Sequence, residues 1–421
     1  MVQFFLTDAI QVSTPLSTPL AITKDGSIVA YFYYNVITSS TQTFTEVEIF
    51  SNQHGKLVSI QQIVSNDFFQ YSKPNFPGII ATAAASCDLS LIVVMEIALG
   101  SSGDYNMRLR GFRFSLSGLV EMPSYTINNV TPLSGTLSNI FNNRICVLYQ
   151  DNVLQYGHIT SFYIGSAGFD LQVDKVLKQP GTNLILSSNK MSIVKHFDRY
   201  YLVLVYNWSQ LENELNLGTI SYAYLGIADF TSQKILANSN LPLQGLSFIV
   251  FRSCDDFLKI IVATPHPIKG TTFPSIYTQS TAELQVTLVD TPNELDNLRV
   301  YVFDCYKMLL VNSYQVKGGI KGFSQNGLDY NTFLVAFSEQ SPLSVSDEAN
   351  GTILMPLKFH DKTNEVCLTN DLNALIGTSA LAYSPIFSDN SRWLAVSGSA
   401  FNIDSNGNLI NNNVQLYVIK C

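Results

Sequence analysis

Hydrophobic and polar positions alternate along most of the chain in short apolar runs broken by polar turns, and helical spacing is nearly absent. Residues 387 to 400, FSDNSRWLAVSGSA, show the unit: a turn on Ser388, Asp389, Asn390 and Ser391, then an apolar run through Trp393, Leu394 and Val396 that closes on small residues. Seven segments repeat it, at 20–35, 79–98, 137–151, 191–207, 246–265, 320–339 and 381–398. Their starts lie 54 to 74 residues apart, a spacing that marks a repeat architecture.

A second hairpin follows the first. EVEIFSN (46–52), LRGFRFSLSG (109–118), SYAYLGIADF (221–230) and LRVYVFD (298–304) read as third strands, and KLVSIQQIV (56–64), GLVEMPSYTI (118–127), KILANSNL (234–241) and MLLVNSYQV (308–316) as fourth strands. Four short strands joined as a meander describe one propeller blade. The pattern predicts one all-β domain over 1–421, a seven-bladed β-propeller with four-stranded antiparallel blades starting near 20, 79, 137, 191, 246, 320 and 381. The last repeat ends in its third strand, VQLYVIKC, whereas VQFFLTDAIQV at 2–12 has no repeat of its own, so the N-terminal strand is expected to complete the last blade and close the ring.

The turn between the first two strands carries Asp in TKDGS (23–27), SCDLS (86–90), SCDDF (253–257) and FSDNS (387–391). On these turns the chain resembles the β-propeller superfamily and, within it, degenerate WD-repeat blades. Trp208 and Trp393, the two tryptophans, do not precede Asp. The resemblance implies the fold over the whole chain and leaves the activity open.

A net charge of -8 opposes nucleic acid and anionic lipid, so a charged partner is expected to be basic. The window 78–100 is the most hydrophobic, but Asp88 and Glu96 interrupt it and its second half alternates in strand fashion, which argues against membrane insertion. The N-terminus lacks the basic region of a signal peptide, pointing to a cytoplasmic protein. The six cysteines have no C-x-x-C spacing and read as buried free thiols.

Links between second and third strands leave a propeller on one face, and here they are long: 37–45, 99–106, 207–219, 338–352, 397–413 and a 266–297 insertion in the fifth repeat with its own strand-like ELQVTLVD. They carry Asp104, Glu212, Glu214, Glu283, Asp290, Glu294, Asp296, Asp347, Glu348 and Asp404 against a single Lys269, with Trp208, Phe273, Tyr277 and Phe401 as aromatic anchors. LENELNLG (211–218) is the one stretch of helix-favouring residues.

Local catalytic marks are missing. There is no H-E-x-x-H, G-x-S-x-G, P-loop or dinucleotide fingerprint, and NIDSNGNLI at 402–410 lacks the closing Glu of a calcium loop, so no catalytic residue, metal or cofactor is expected. The function expected is a non-enzymatic scaffold that binds a protein or basic peptide on the acidic, loop-rich face. Alternatives are a carbohydrate-binding or glycoside-processing propeller and a structural component of a viral particle or cell-surface assembly.

Overall fold

The computed structural model describes residues 5–12, 18–33, 45–65, 80–99, 103–115, 118–131, 134–178, 184–196, 199–213, 216–229, 234–240, 247–250, 259–264, 268–269, 287–288, 297–304, 309–317, 319–323, 332–338, 352–358, 380–388, 390, 392–403 and 409–420. Strands Thr18–Ile22, Ile28–Phe32, Thr45–Gln53 and Lys56–Val64 form sheet A. Sheet B holds Ile80–Ala85, Leu91–Leu99 and Tyr105–Ser115, with Gly118–Glu121 and Tyr125–Ile127 sharing its outer edge. Sheet C holds Thr136–Leu137, Arg144–Gln150, Gly157–Gly165 and Gly168–Leu177, and sheet D holds Leu184–His196, Arg199–Asn213, Asn216–Asp229 and Lys234–Asn240. In sheet E are Ser247–Val250, Lys259–Thr264, Asn297–Asp304 and Leu309–Lys317; sheet F has Gly319–Phe323, Thr332–Ser338 and Thr352–Lys358. Ala380–Phe387, Trp393–Ile403 and Leu409–Lys420 make sheet G, and Phe5–Val12 is its outer strand, paired from Phe5 with Lys420 to Val12 with Val414. Within the fifth repeat's insertion, Ile268–Lys269 pairs with Thr287–Leu288.

The protein is thus all-β, built of antiparallel up-and-down meanders of the propeller-blade type. First strands of successive sheets lie side by side, and Ala380–Phe387 of sheet G lies against Thr18–Ile22 of sheet A. Parallel bridges from Ser86 to Ile140 and from Ser138 to Met191 show that sheets B, C and D run in one direction. Their second-to-third links therefore leave at the same end.

Each central strand feeds two cores, because successive side chains point to opposite faces. In Leu91–Leu99, Ile92, Val94 and Ala98 pack with Ala30, Phe32, Val47 and Ile49 of sheet A. Leu91, Val93, Met95 and Ile97 pack instead with Ile145, Val147 and Phe162 of sheet C. Burial on both faces explains why this strand reads as a continuous apolar run: it is sandwiched between sheets. Among the described residues no helix is long and apolar enough to cross a membrane.

The Asp turns share one hydrogen-bond pattern, in a register the sequence pattern misplaced. The Asp25 carboxylate accepts from the Thr23 hydroxyl (2.7 Å), the Ser27 hydroxyl (2.7 Å) and the Ser27 N–H (3.1 Å), and the Ile28 N–H donates to Thr23 Oγ1 (3.0 Å). Asp88 repeats this with Ser86 (2.6 Å), Ser90 Oγ (2.8 Å) and Ser90 N–H (3.1 Å), the Leu91 N–H donating to Ser86 Oγ (3.0 Å). In sheet G the central position is Asn390, whose Oδ1 accepts from Ser388 Oγ (2.8 Å) and the Arg392 N–H (3.2 Å), while Trp393 N–H donates to Ser388 Oγ (3.1 Å). The equivalent stretch is therefore SDNSRW against TKDGSI and SCDLSL, one residue beyond the alignment on Asp389, which lies outside the described residues. Backbone closure agrees: Thr23 N–H to Ile28 O, Ser86 N–H to Leu91 O and Ser388 N–H to Trp393 O. In sheet C the same position is a tight turn with Asn142 and Asn143 at φ 47° and 57°, as a primed hairpin turn demands.

Other expectations change. Residues 207–213 and 216–219 are strand rather than loop or helix, since Leu211 pairs with Leu217 and Asn213 with Asn216. Tertiary pairing overrides the helical preference of Glu and Leu. Most of 397–413 likewise extends the strands of sheet G. The expected fourth strand of sheet B breaks between Glu121 and Tyr125, where Pro123 has no N–H to give the ladder. Cys146 is buried, but Cys87 is exposed at the corner of the Asp88 turn; Cys254, Cys305, Cys367 and Cys421 lie outside the described residues.

Candidate functional site

The end of the sheets from which second-to-third links leave is built out by ribbons. In sheet D the central hairpin pairs out to Asn213 and Asn216, and the described part of its outer strand pairs as far as Tyr224. In sheet G the central hairpin runs to Ile403 and Leu409, beyond Ala400 on the inner side and Val414 on the outer side, where the described neighbours stop. The insertion of sheet E adds its short ladder after a second strand. Three of these links thus continue as paired backbone.

Of the expected site residues, Asp104 is partly exposed beside Tyr105 at this end of sheet B. Trp208 corrects its assignment as an anchor: it is 1% exposed and packs in the core between sheets C and D with Leu148, Leu186 and Leu204, because its strand position turns it inward. Glu212 and Phe401 lie in strands, Arg199–Asn213 and Trp393–Ile403, rather than in loops. Glu214, Phe273, Tyr277, Glu283, Asp290, Glu294, Asp296, Asp347, Glu348 and Asp404 lie outside the described residues.

Two charged clusters near the same end were not anticipated. Between sheets A and B, Arg108 donates to Glu96 (Nε, 2.7 Å), directly opposite it on the neighbouring strand. Arg110 Nη1 reaches Glu46 (3.1 Å), Glu96 (3.3 Å) and the Val64 carbonyl (3.1 Å), and its Nε reaches Glu121 (2.8 Å). Glu46 and Glu96 are fully buried. Burial first, and the Glu96 charge second, push Glu46 up to about 9. A protonated Glu46 leaves two carboxylates, Glu96 and Glu121, facing two guanidiniums, the neutral count that a buried site favours. The visible signal was Glu96 inside an apolar strand, since a buried charge requires a partner.

On sheet C, His158 lies between Asp174 and Asp151, next to a turn that exposes Val153 and Leu154. The hydrogen bond to Asp174 holds His158 above the ordinary imidazole range, against the effect of burial, and the same bond holds Asp174 below the ordinary carboxylate range. No local spacing marks His158, because its partner Asp174 lies across the sheet. Thr160 is the residue opposite Asp174, so the imidazole reaches it on the diagonal.

No protein-family model matches the chain, and no curated protein matches it. Among solved structures it is similar to the β-propeller domain of the Trilobed protease from Pyrococcus furiosus, at 12% identity and a TM-score of 0.42, covering 79% of each chain. It is also similar to an uncharacterized protein from Listeria monocytogenes EGD-e, at 12% identity and a TM-score of 0.46, over 96% of this chain and 97% of that one. A third similar structure is the WD40 domain of SCAP from fission yeast, at 11% identity and a TM-score of 0.39, over 95% of this chain and 84% of that one.

Proposed function

We propose that the chain is a closed ring of seven blades serving as a non-enzymatic scaffold, which engages a protein or basic peptide through the face bearing the second-to-third links. The observation that carries this reading is the backbone pairing of the central hairpins of sheets D and G at that end, out to Asn213 with Asn216 and to Ile403 with Leu409. Backbone pairing holds such ribbons in place before a partner arrives, which lowers the ordering cost of binding. Closure is supported by the Phe5–Val12 strand on sheet G and by the contact of sheet G with sheet A.

On this face the contact residues are the loop and ribbon residues named above without Trp208, joined by Val153 and Leu154. Their acidic excess speeds the approach of a basic partner and makes capture salt-dependent. Glycoside processing needs two carboxyl groups about 5 to 10 Å apart and open to substrate. Glu46 and Glu96 are paired carboxyls but lie buried under arginines, which argues for a structural role.

The test is affinity capture from a source lysate with the full chain and with a variant lacking residues 270–293, at low and moderate salt. A protein retained by the full chain, weakened by salt and lost with the deletion supports the scaffold. Capture that ignores the deletion contradicts it.

A further inference from the structure

The turn at 151–156 joins the second and third strands of sheet C and presents Val153 and Leu154, which are 72% and 66% exposed. One carboxylate shapes it. Asp151 Oδ1 accepts from the N–H groups of Val153 (2.9 Å) and Leu154, and Oδ2 accepts from the Tyr156 N–H (2.8 Å). That Oδ2 also lies 3.5 Å from His158 Nε2, while His158 Nδ1 lies 3.1 Å from Asp174 Oδ1 and 3.2 Å from Oδ2. The ring stacks on Tyr149 at 5.0 Å between centroids and 9° between planes, which fixes the plane in which both nitrogens lie.

A neutral imidazole has one N–H and the imidazolium has two. Each nitrogen of His158 faces a carboxylate, so only the charged ring satisfies both. When the proton leaves, the shorter contact keeps the remaining N–H on Nδ1, and Nε2 turns a lone pair toward Asp151 Oδ2. Attraction becomes repulsion at the atom that holds the Tyr156 N–H. We propose that Asp151, His158 and Asp174 form a proton-operated clasp that sets the conformation of the turn bearing Val153 and Leu154.

The groups facing the ring are Tyr149 from the second strand, Asp151 from the turn and Asp174 from the outer strand; Thr160 donates to Asp174 (3.2 Å) and steadies it. The direction of the His158 shift agrees, since the bond to Asp174 favours the charged ring. With the ring charged, the turn is held on both sides and the apolar pair is presented in one geometry. At higher pH the turn loosens. The clasp stands without any partner, and its effect on binding rests on the scaffold reading.

The test uses the full chain in nuclear magnetic resonance, following the His158 ring and the amides of Val153, Leu154 and Tyr156 across pH. The expected result is a ring midpoint above that of an ordinary histidine side chain, with the three amides shifting at that midpoint. Asp174→Asn lowers the ring midpoint and carries the amide midpoint with it, and His158→Gln makes the amides flat across the interval. Amides that stay still while the ring titrates, or a ring midpoint unmoved by Asp174→Asn, overturn the proposal. No partner enters these measurements, so failed capture counts against the scaffold reading alone, and still amides count against the clasp alone.

Discussion

The indole of Trp393 lies so close over the backbone of Gly26 that a Cβ built on Gly26 would sit 2.1 Å from the ring. The two residues belong to sheets G and A, and a second tie joins the same turns: Asn390 Nδ2 donates to the Lys24 carbonyl (2.8 Å). Gly26 has φ +70°, a conformation that L side chains adopt at a cost. Two demands, space and dihedral angle, therefore fall on one glycine where the beginning and end of the chain meet.

Gly26→Ala is expected to destabilise the protein by about 2 to 4 kcal/mol, the sum of a left-handed alanine and an overpacked contact. Denaturant unfolding of Gly26→Ala, Trp393→Ala and the double variant checks this. The double variant should recover part of the loss, because removing the indole frees the space. Strict additivity would contradict the contact.

The buried cluster predicts opposite outcomes for two substitutions of similar size. Arg110→Met removes the partner of Glu96, Glu46 and Glu121 and should cost about 3 to 5 kcal/mol. Glu46→Gln, which replaces a protonated carboxyl by a neutral amide, should cost less than about 1 kcal/mol at neutral pH. Equilibrium unfolding of both variants separates them, and a large loss in Glu46→Gln would show that Glu46 is ionised.

A pH dependence follows from the same group. Glu46 is raised in the folded state from an ordinary value of 4.5 to about 9, so within that window the folded chain holds a proton that the unfolded chain has released. Its stabilising contribution is complete below the lower value and is lost progressively as pH rises towards the upper one. Stability measured from pH 5 to 9 should thus decline more steeply in the wild type than in Glu46→Gln. Parallel curves would contradict the assignment.

Val153 and Leu154 are exposed and make no core contact, so replacing both by Ser should leave unfolding within about 0.5 kcal/mol of wild type. Capture of a partner should weaken all the same. Retained capture in a stable double variant would remove this turn from the contact surface.

The strands were legible because short apolar runs end in polar turns; where both faces are buried the alternation is hidden in the sequence, and only the fold divides the run at Leu91–Leu99 between the cores on either side of it. Asp389 and Asn390 were confused because either side chain can brace a turn, and only the bonds from Ser388 and Arg392 select Asn390. The ribbons of sheets D and G looked like loops because Asn, Ser and Glu dominate them, yet cross-strand pairing needs backbone groups rather than apolar side chains. Charged partners were hidden for a topological reason. Glu96, Arg110 and Glu121 meet across neighbouring strands of sheet B, and Glu46 joins them only when sheet A packs on sheet B, a contact that no local spacing records.

The most direct test of a closed ring is removal of residues 1–12, which contain the outer strand of sheet G. If the ring is closed through that strand, thermal unfolding followed by circular dichroism and, with Trp208→Phe in both the full and the shortened chain, by Trp393 fluorescence should shift to a lower midpoint in both signals together, because every sheet depends on its two neighbours. An unchanged midpoint, or loss confined to the Trp393 signal while the remaining sheets melt as before, would contradict closure and with it the rigid platform on which the binding face depends.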